Sequence, residues 1–424
     1  VYFEMKIFFN FIGNFKRILA VQLILTSFVY SQNRNVIKLN DCIKAAIVNY
    51  PSLSSSRKLI ESKVAKLKSI QSRILPQLDF ISHGEYDAFN SYGFGIFDNR
   101  IQLSWNSGDL FGKLERTGIT EEKIARINAL KIKLDLIYRV KMSFYQFAVA
   151  GEKLKALRLS EKLLERQREI NKKLYKLGQI KLTDYYFTQT SLSRAKELIL
   201  KEETEVENYR IQLESLTGLN IGKKDSLTFN IKFSVFKHSF DSLFSRAKQF
   251  NPALAILNNQ IKLAEINANL INAGKLPTIY LQGGYVLNND PTSGGNYSVI
   301  SGGLRVPLAD WGKRKYRATE FKLKAASIKF ARLTLLKEIK VRLKKLVNEF
   351  LTTEKLIKLK EATISEAIKT YKLTLINYKA GIASNTDALI AHKAWLFLRI
   401  SREKLILKLF NIQSEIEYLI GKTE

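Results

Sequence analysis

The chain has 424 residues, 46% of them apolar, and a formal net charge of +30 at pH 7. Its one cysteine, Cys42, excludes a disulfide within the chain, and with only His83, His238 and His392 besides, a Cys/His metal site has too few ligands to build on. The lysines are spread among glutamates along the chain rather than gathered in one patch, which reads as solvated helix faces with a lean towards anionic surfaces.

The first 31 residues read as a secretory signal. Lys16 and Arg17 precede an apolar run from Ile18 to Val29, and Val29-Tyr30-Ser31 suits cleavage before Gln32. The run is short for a membrane-spanning helix, and no later segment offers 18 uninterrupted apolar residues, so any membrane crossing would use strands. Short helices are predicted over about 39–49 and 52–74. Leu78-Asp79-Phe80-Ile81-Ser82 and Ile101-Gln102-Leu103-Ser104-Trp105 alternate as strands, giving a hairpin over about 77–106. Apolar residues at spacings of three and four predict a long helix over about 118–177, broken at Gly178, and a second over about 183–217.

The same order then recurs. Short helices are expected over about 240–250 and 253–273, a hairpin over about 278–307, and long helices over about 317–379 and 385–420. Four of the six prolines mark the repeat: Pro51 and Pro76 lie 25 residues apart, as do Pro252 and Pro277. Asp109-Leu110-Phe111-Gly112-Lys113 matches Ala309-Asp310-Trp311-Gly312-Lys313. Tyr175-Lys176-Leu177-Gly178 matches Tyr378-Lys379-Ala380-Gly381, and Leu216-Thr217-Gly218 matches Leu419-Ile420-Gly421. The chain therefore divides into a signal (1–31), a first repeat (32–222), a connector (223–239) and a second repeat (240–424). A period near 200 residues is far longer than a solenoid repeat, so each half is a whole unit.

Two hairpins give four strands, which cannot close a barrel. Ile101, Leu103, Trp105, Leu304 and Val306 share one face; Arg100, Gln102, Ser104, Ser301, Gly303 and Arg305 share the other. Apolar-out, polar-in alternation is that of a transmembrane barrel around water, and three copies would supply twelve strands. No Gly-rich phosphate loop or nucleophile elbow is present, so the chain is read as a non-enzyme without cofactor or metal.

These features resemble the TolC family of bacterial outer-membrane efflux proteins over about residues 36–424. The carriers are the Asn-Pro-type openings at Asn49 and Asn251, Leu75-Pro76 and Leu276-Pro277, Val306-Pro307-Leu308-Ala309-Asp310-Trp311-Gly312, and the two Tyr-Lys-x-Gly breaks. The resemblance implies a mixed α+β membrane protein: a homotrimer with a 12-stranded outer-membrane β-barrel, continued by a 12-helix coiled-coil barrel in the periplasm. It implies a passive exit duct of a tripartite efflux or type I secretion system, served by a periplasmic adaptor and an inner-membrane transporter of RND or ABC type, with outer-membrane lipid around it and no nucleic acid. The competing reading is a secreted or intracellular coiled-coil scaffold binding an anionic partner.

The resemblance also implies site residues. Asp184 and Asp387, each six residues after its glycine, together with Thr183 and Tyr378, are candidates for a periplasmic gate, with an Asp184–Tyr378 polar link when closed. Both aspartates equally suit the first turn of a helix, and Ser384 with Asp387 has capping-box spacing. The chain departs from the family pattern at Ile390, where a second inward acid is often found, and at Ala383, where a basic partner occurs. Gly178, Gly381, Tyr175 and Lys379 are candidates for adaptor docking. Arg100 and Arg305 are candidates for the barrel lumen, as cargo-selecting charges or as a solvated wall. Trp105, Trp311, Tyr86, Tyr285 and Tyr297 suit interfacial belts, and packing suits Trp311 equally well. Cys42, on an apolar helix face, is expected to be buried and inert.

Overall fold

A computed structural model describes residues 36–86, 95–108, 114–222, 226–227, 239–288 and 295–422. The expected signal, the Asp109–Lys113 landmark and the side chain of Tyr86 lie outside the described residues. The elements run β1 (Val36–Ile37), α1 (Leu39–Asn49), α2 (Pro51–Ser72), β2 (Gln77–Tyr86), β3 (Gly95–Asn106), α3 (Glu115–Lys176) and α4 (Leu182–Thr217). They continue with β4 (Ser226–Leu227), α5 (Phe240–Phe250), α6 (Pro252–Ala273), β5 (Thr278–Asn288), β6 (Tyr297–Arg305), α7 (Lys313–Lys379) and α8 (Asn385–Leu419). At 1.5 Å per residue, the 62 residues of α3 and 67 of α7 span about 93 and 100 Å. No described helix is both long and apolar enough to cross a membrane.

The sheet order is β2-β3-β5-β6, antiparallel throughout, so the two hairpins join through β3 and β5. Each strand leads into or out of a helix. Helices α2, α3, α6 and α7 accordingly pack side by side in the same order as the strands, with α4 on α3 and α8 on α7 and α3. At the junction the repeats are laced together: Ser107 N donates to the Ile279 carbonyl (2.9 Å), and Ile279 N donates back to Ser107 Oγ (2.8 Å). Helix α3 begins a few residues before the point its periodicity suggests. Its first turn is held by packing, since Gly118 lies against Leu67 and Ile70 of α2. A two-stranded parallel pairing of β1 with β4, which periodicity does not reveal, ties the start of the first repeat to the connector.

Each repeat has its own core. Cys42, Val140, Phe144, Leu213 and Leu216 pack α1 onto α3 and α4; Leu243, Leu343, Phe350, Ile406 and Leu409 pack α5 onto α7 and α8. Tyr145 belongs to both and stacks on Phe410 with ring centroids 4.3 Å apart. A largely buried ion pair, Lys141–Glu417 at 2.7 Å, adds a polar bond between the halves. Cys42 is fully buried and its thiol is pushed up to about 11, chiefly by burial, which leaves it unreactive at neutral pH.

The duplication persists at the level of single hydrogen bonds. Asn49 Nδ2 donates to the Thr217 carbonyl (2.9 Å) and Asn251 Nδ2 to the Leu419 carbonyl (3.0 Å), each across 168 residues. Both bonds tie the joint between a repeat's two short helices to the end of its last long helix. The two asparagines differ in one respect. Tyr50 separates Asn49 from Pro51, and no side chain caps α2. Asn251 directly precedes Pro252 and accepts from the amides of Ala253 (3.0 Å) and Leu254 (3.2 Å).

A cap and a long-range bond are each worth about 1 kcal/mol. Asn251→Ala should therefore cost about twice as much stability as Asn49→Ala. Unfolding midpoints of the two variants in detergent check this; equal shifts would contradict it.

Candidate functional site

The end of the helical body remote from the sheet is formed by the two helix–helix turns. Each follows the same stop signal. Gln179 N donates to the Leu174 carbonyl and Gly178 N to Tyr175; Ile382 N donates to the Asn377 carbonyl and Gly381 N to Tyr378. Gly178 and Gly381 adopt left-handed φ of +70° and +76°, which a side chain at Cβ would strain, although the space around both is open. Between the turns lies a cleft of about 740 Å³ lined in part by Thr183, Asp184, Tyr378, Lys379, Gly381 and Asn385. Five of the candidates, Thr183, Asp184, Tyr378, Lys379 and Gly381, thus meet in one place. Tyr175 is exposed beside its turn.

The two aspartates do different work. Asp387 closes a capping box: its Oδ2 accepts from Ser384 N (2.9 Å) and Ser384 Oγ (2.6 Å), while its own amide donates to Ser384 Oγ (3.1 Å). Those Ser384 bonds hold its carboxyl below the usual range. Asp184 is half-buried in the first turn of α4, where the helix dipole favours an acid.

The expected Asp184–Tyr378 link takes another form. The Tyr378 hydroxyl donates to Asn171 Oδ1 (2.9 Å), and Asp184 takes part through its main-chain carbonyl, which accepts from Asn385 Nδ2 (2.9 Å). Around this carbonyl sits a buried amide network. Gln167 Nε2 donates to Asn385 Oδ1 (2.8 Å) and Asn171 Nδ2 to Thr188 Oγ1 (2.8 Å). Gln167, Asn171 and Thr188 are fully buried and Asn385 nearly so. Burial, and then the nearby Asp184 charge, push the Tyr378 phenol up to about 12, so it stays a neutral donor.

A second polar layer lies one heptad further from the tip on each of three helices. Ser160, Tyr371 and His392 precede Gln167, Tyr378 and follow Asn385 by seven residues respectively. Ser160 Oγ lies 3.1 Å from His392 Nε2, and the Tyr371 and Trp395 rings pack at centroid distances of 5.3 and 5.8 Å from the imidazole. Desolvation pushes His392 down to about 4, so it is neutral here. The sequence does carry a signal for both layers: Ser160, Leu164, Gln167 and Asn171 fall on one helix face, polar where an apolar seam is expected.

At the sheet, register assigns the faces. Leu78, Leu103, Gly283 and Ile300 lie in one row, and Phe80, Ile101 and Tyr285 in the next. This face is apolar and exposed, Ile300 to 92%. Gln77, Ser104, Gln282 and Ser301 form a row of the opposite face, which also carries Arg100 and Arg305. Arg100 is paired with Asp98 at 2.5 Å, so its charge is locally balanced; Arg305 is exposed at the strand end.

Asn385→Ala removes the acceptor of Gln167 and the donor to Asp184. Stranding buried polar groups costs about 1–3 kcal/mol each, so this variant should lower the unfolding midpoint more than Thr386→Ala on the exposed face next to it; equal effects would discount the network. His392 is pushed down from 6.5 to about 4, so the unfolded chain binds the extra proton in between. Stability is full above pH 6.5 and falls through that window. His392→Gln should flatten the midpoint-against-pH curve from 6.5 to 4, and an unchanged slope would show that His392 is not its source.

Comparison with known proteins agrees with this geometry. A family model described as "Outer membrane efflux protein" matches residues 243–407. Outer membrane protein TolC of Vibrio cholerae serotype O1 is 28% identical over 203 residues, 45% of this chain and 46% of that protein, so the match spans about half of each. The crystal structure of CusC superposes with a TM-score of 0.82 at 14% identity, over 92% of this chain and 96% of that one. The Campylobacter jejuni CmeC outer membrane channel gives 0.79 at 17%, over 90% and 85%. The second half thus carries the sequence pattern of the outer membrane efflux proteins, and about nine-tenths of the chain shares the fold of solved outer membrane channels, as the resemblance to the TolC family implies.

Proposed function

We propose that the protein is the exit duct of a tripartite efflux or type I secretion system, acting as a homotrimer. The observation that carries this reading is the four-stranded sheet. Its edge strands, β2 and β6, have no strand partner on their outer sides among the described residues, and its apolar face is exposed. Lipid demands that every backbone N–H and C=O be paired, so such a sheet is stable there only if closed. Pairing β6 of one copy with β2 of the next closes twelve strands after three copies. The helices α7 and α2, which continue those edge strands, meet across the same seam. Tyr316, Leu323 and Phe330 form an exposed stripe at heptad spacing along that edge of α7 and suit it.

The polar face then lines water, with Arg305 at its helical end, while the Asp98 partner mutes Arg100 as a selector of cargo. At the tip, Asp184, Thr183 and Tyr378 form the lock of the closed state, with Asp387 mainly capping α8. Gly178, Gly381, Tyr175 and Lys379 present the turns to a periplasmic adaptor, and an inner-membrane transporter supplies the energy. The division at residues 31, 222 and 239 follows the duplication.

Membrane fractionation and native mass in detergent test the duct. A trimer from the outer membrane that conducts ions in a planar bilayer is expected. A monomer or dimer would rule it out, because four or eight strands of this length leave no such pore.

A further inference from the structure

We propose that the junction between sheet and helices carries a collar of cations that binds the headgroups of anionic phospholipids in the periplasmic leaflet of the outer membrane. The inference rests on the outer-membrane reading above.

Cations are sparse along the strands. The segments 77–106 and 278–305 hold only Arg100, which pairs with Asp98, and Arg305 at the junction end of β6, against the acids Asp79, Glu85, Asp87, Asp98 and Asp290. The helical side of the junction is the reverse. Arg73 follows α2, Arg116 opens α3, Lys275 follows α6, and Lys313, Lys315 and Arg317 open α7. All six are exposed, and none has an ion-pair or hydrogen-bond partner for its side chain among the described residues. The cation beside them that is paired, Arg314, is held by Asp310 and lies against Gly274. The even spread of lysine along the chain conceals this concentration, because the six come from four segments that only the fold brings to one level.

The first turns of α7 are an unfavourable place for it. Lys313 to Lys324 holds six basic residues against Glu320 alone, and the one acid at the helix start, Asp310, is engaged by the Gly312 and Arg314 amides and the Arg314 side chain, which leaves Lys313, Lys315 and Arg317 without a counter-charge where the helix dipole disfavours cations. An anionic partner removes that penalty. The apolar neighbours indicate which kind. Trp311 and Leu308 are 95% and 93% exposed, immediately between the apolar sheet face and the cations. Trp311 is also the one non-glycine among the described residues with positive φ, at 51°, a backbone strain that solvent exposure alone does not reward. An exposed tryptophan flanked by lysine and arginine at the rim of an apolar belt is the composition of a membrane–water interface, where the ring sits among headgroups and the cations meet phosphate. A protein ligand or free phosphate would use the cations but not the adjoining apolar rim.

The test uses full-length protein reconstituted into vesicles of equal phosphatidylglycerol and phosphatidylcholine, re-extracted and weighed with its retained lipid by native mass spectrometry. Wild type should retain phosphatidylglycerol over phosphatidylcholine on the order of tenfold. The variant R73Q/R116Q/K275Q/K313Q/K315Q/R317Q should lose most of this preference. The variant K337Q/K344Q/K345Q/K355Q/K369Q/K372Q changes net charge equally but lies along α7 away from the junction, and should keep it. Equal retention of both lipids by wild type, or equal loss in both variants, would overturn the collar. So would a collar variant that falls apart as an oligomer while single substitutions leave lipid preference intact, since the cations would then be a subunit contact. Failure of wild type to enter vesicles at all would instead remove the outer-membrane reading, and the collar with it.

Discussion

Backbone hydrogen bonding at the two edges of the sheet is the constraint on which the rest depends. β2 and β6 each present one row of N–H and C=O groups, and the face between them is apolar. In water such an edge is a template for aggregation, and in lipid each unpaired group costs several kcal/mol. In the trimer proposed above, neighbouring copies satisfy both edges. Because α2, α3, α6 and α7 continue the strands in the same lateral order, closing the sheet also closes the helical layer. One requirement, met in one place, sets the arrangement of a body about 100 Å long.

The two repeats are alike where geometry is demanding and differ where it is not. The Asn49–Thr217 and Asn251–Leu419 bonds share one separation, and the two tip turns share one pattern of amide bonds. The buried polar layers break the symmetry. Gln167, Asn171 and Thr188 come from the first repeat, Tyr378 and Asn385 from the second. An apolar seam between long helices tolerates a slip of one heptad; a buried amide that must find its partner does not. These layers act chiefly by fixing the register of the α7–α8 pair against the α3–α4 pair.

What the sequence discloses follows from how local each signal is. Pro51, Pro76, Pro252 and Pro277 restrict their own backbone, and Gly178 and Gly381 stop their own helices, so the plan of each repeat can be read from them. The Ser384–Asp387 box is equally local. The alternation around Arg100 and Arg305 gives the two faces of the sheet, since a strand has a fixed period of two. Of the amide network, only the α3 side shows, as Gln167 and Asn171 on one helix face; its partners do not. Asn385 meets Gln167 across 218 residues, and nothing near Asn385 distinguishes it from an exposed first-turn asparagine. The partner of Tyr378 is hidden for the same reason: its position predicts that it faces the first repeat, but not that its hydroxyl donates to Asn171, 207 residues away on α3. The cations of the junction are separately unremarkable and are collected only by the fold.

The chemistry of the tip has a consequence for how a duct of this kind would respond to its surroundings. The proposed lock lacks a basic residue at Ala383 and a second acid at Ile390. What joins the repeats instead is neutral: amides, a hydroxyl and a phenol held well above neutral pH by burial. Neutral hydrogen bonds are not screened by salt, whereas exposed ion pairs weaken beyond a Debye length of about 8 Å at physiological ionic strength. The imidazole one heptad away remains uncharged down to about pH 4. Ionic strength therefore has little hold on the bonds at the tip; the Lys141–Glu417 ion pair joins the same helix pairs at the level of the repeat cores instead. If the tip gates the duct proposed above, its opening would come from differential binding to the open arrangement, and the exposed turns at Gly178 and Gly381 are where a partner would supply it.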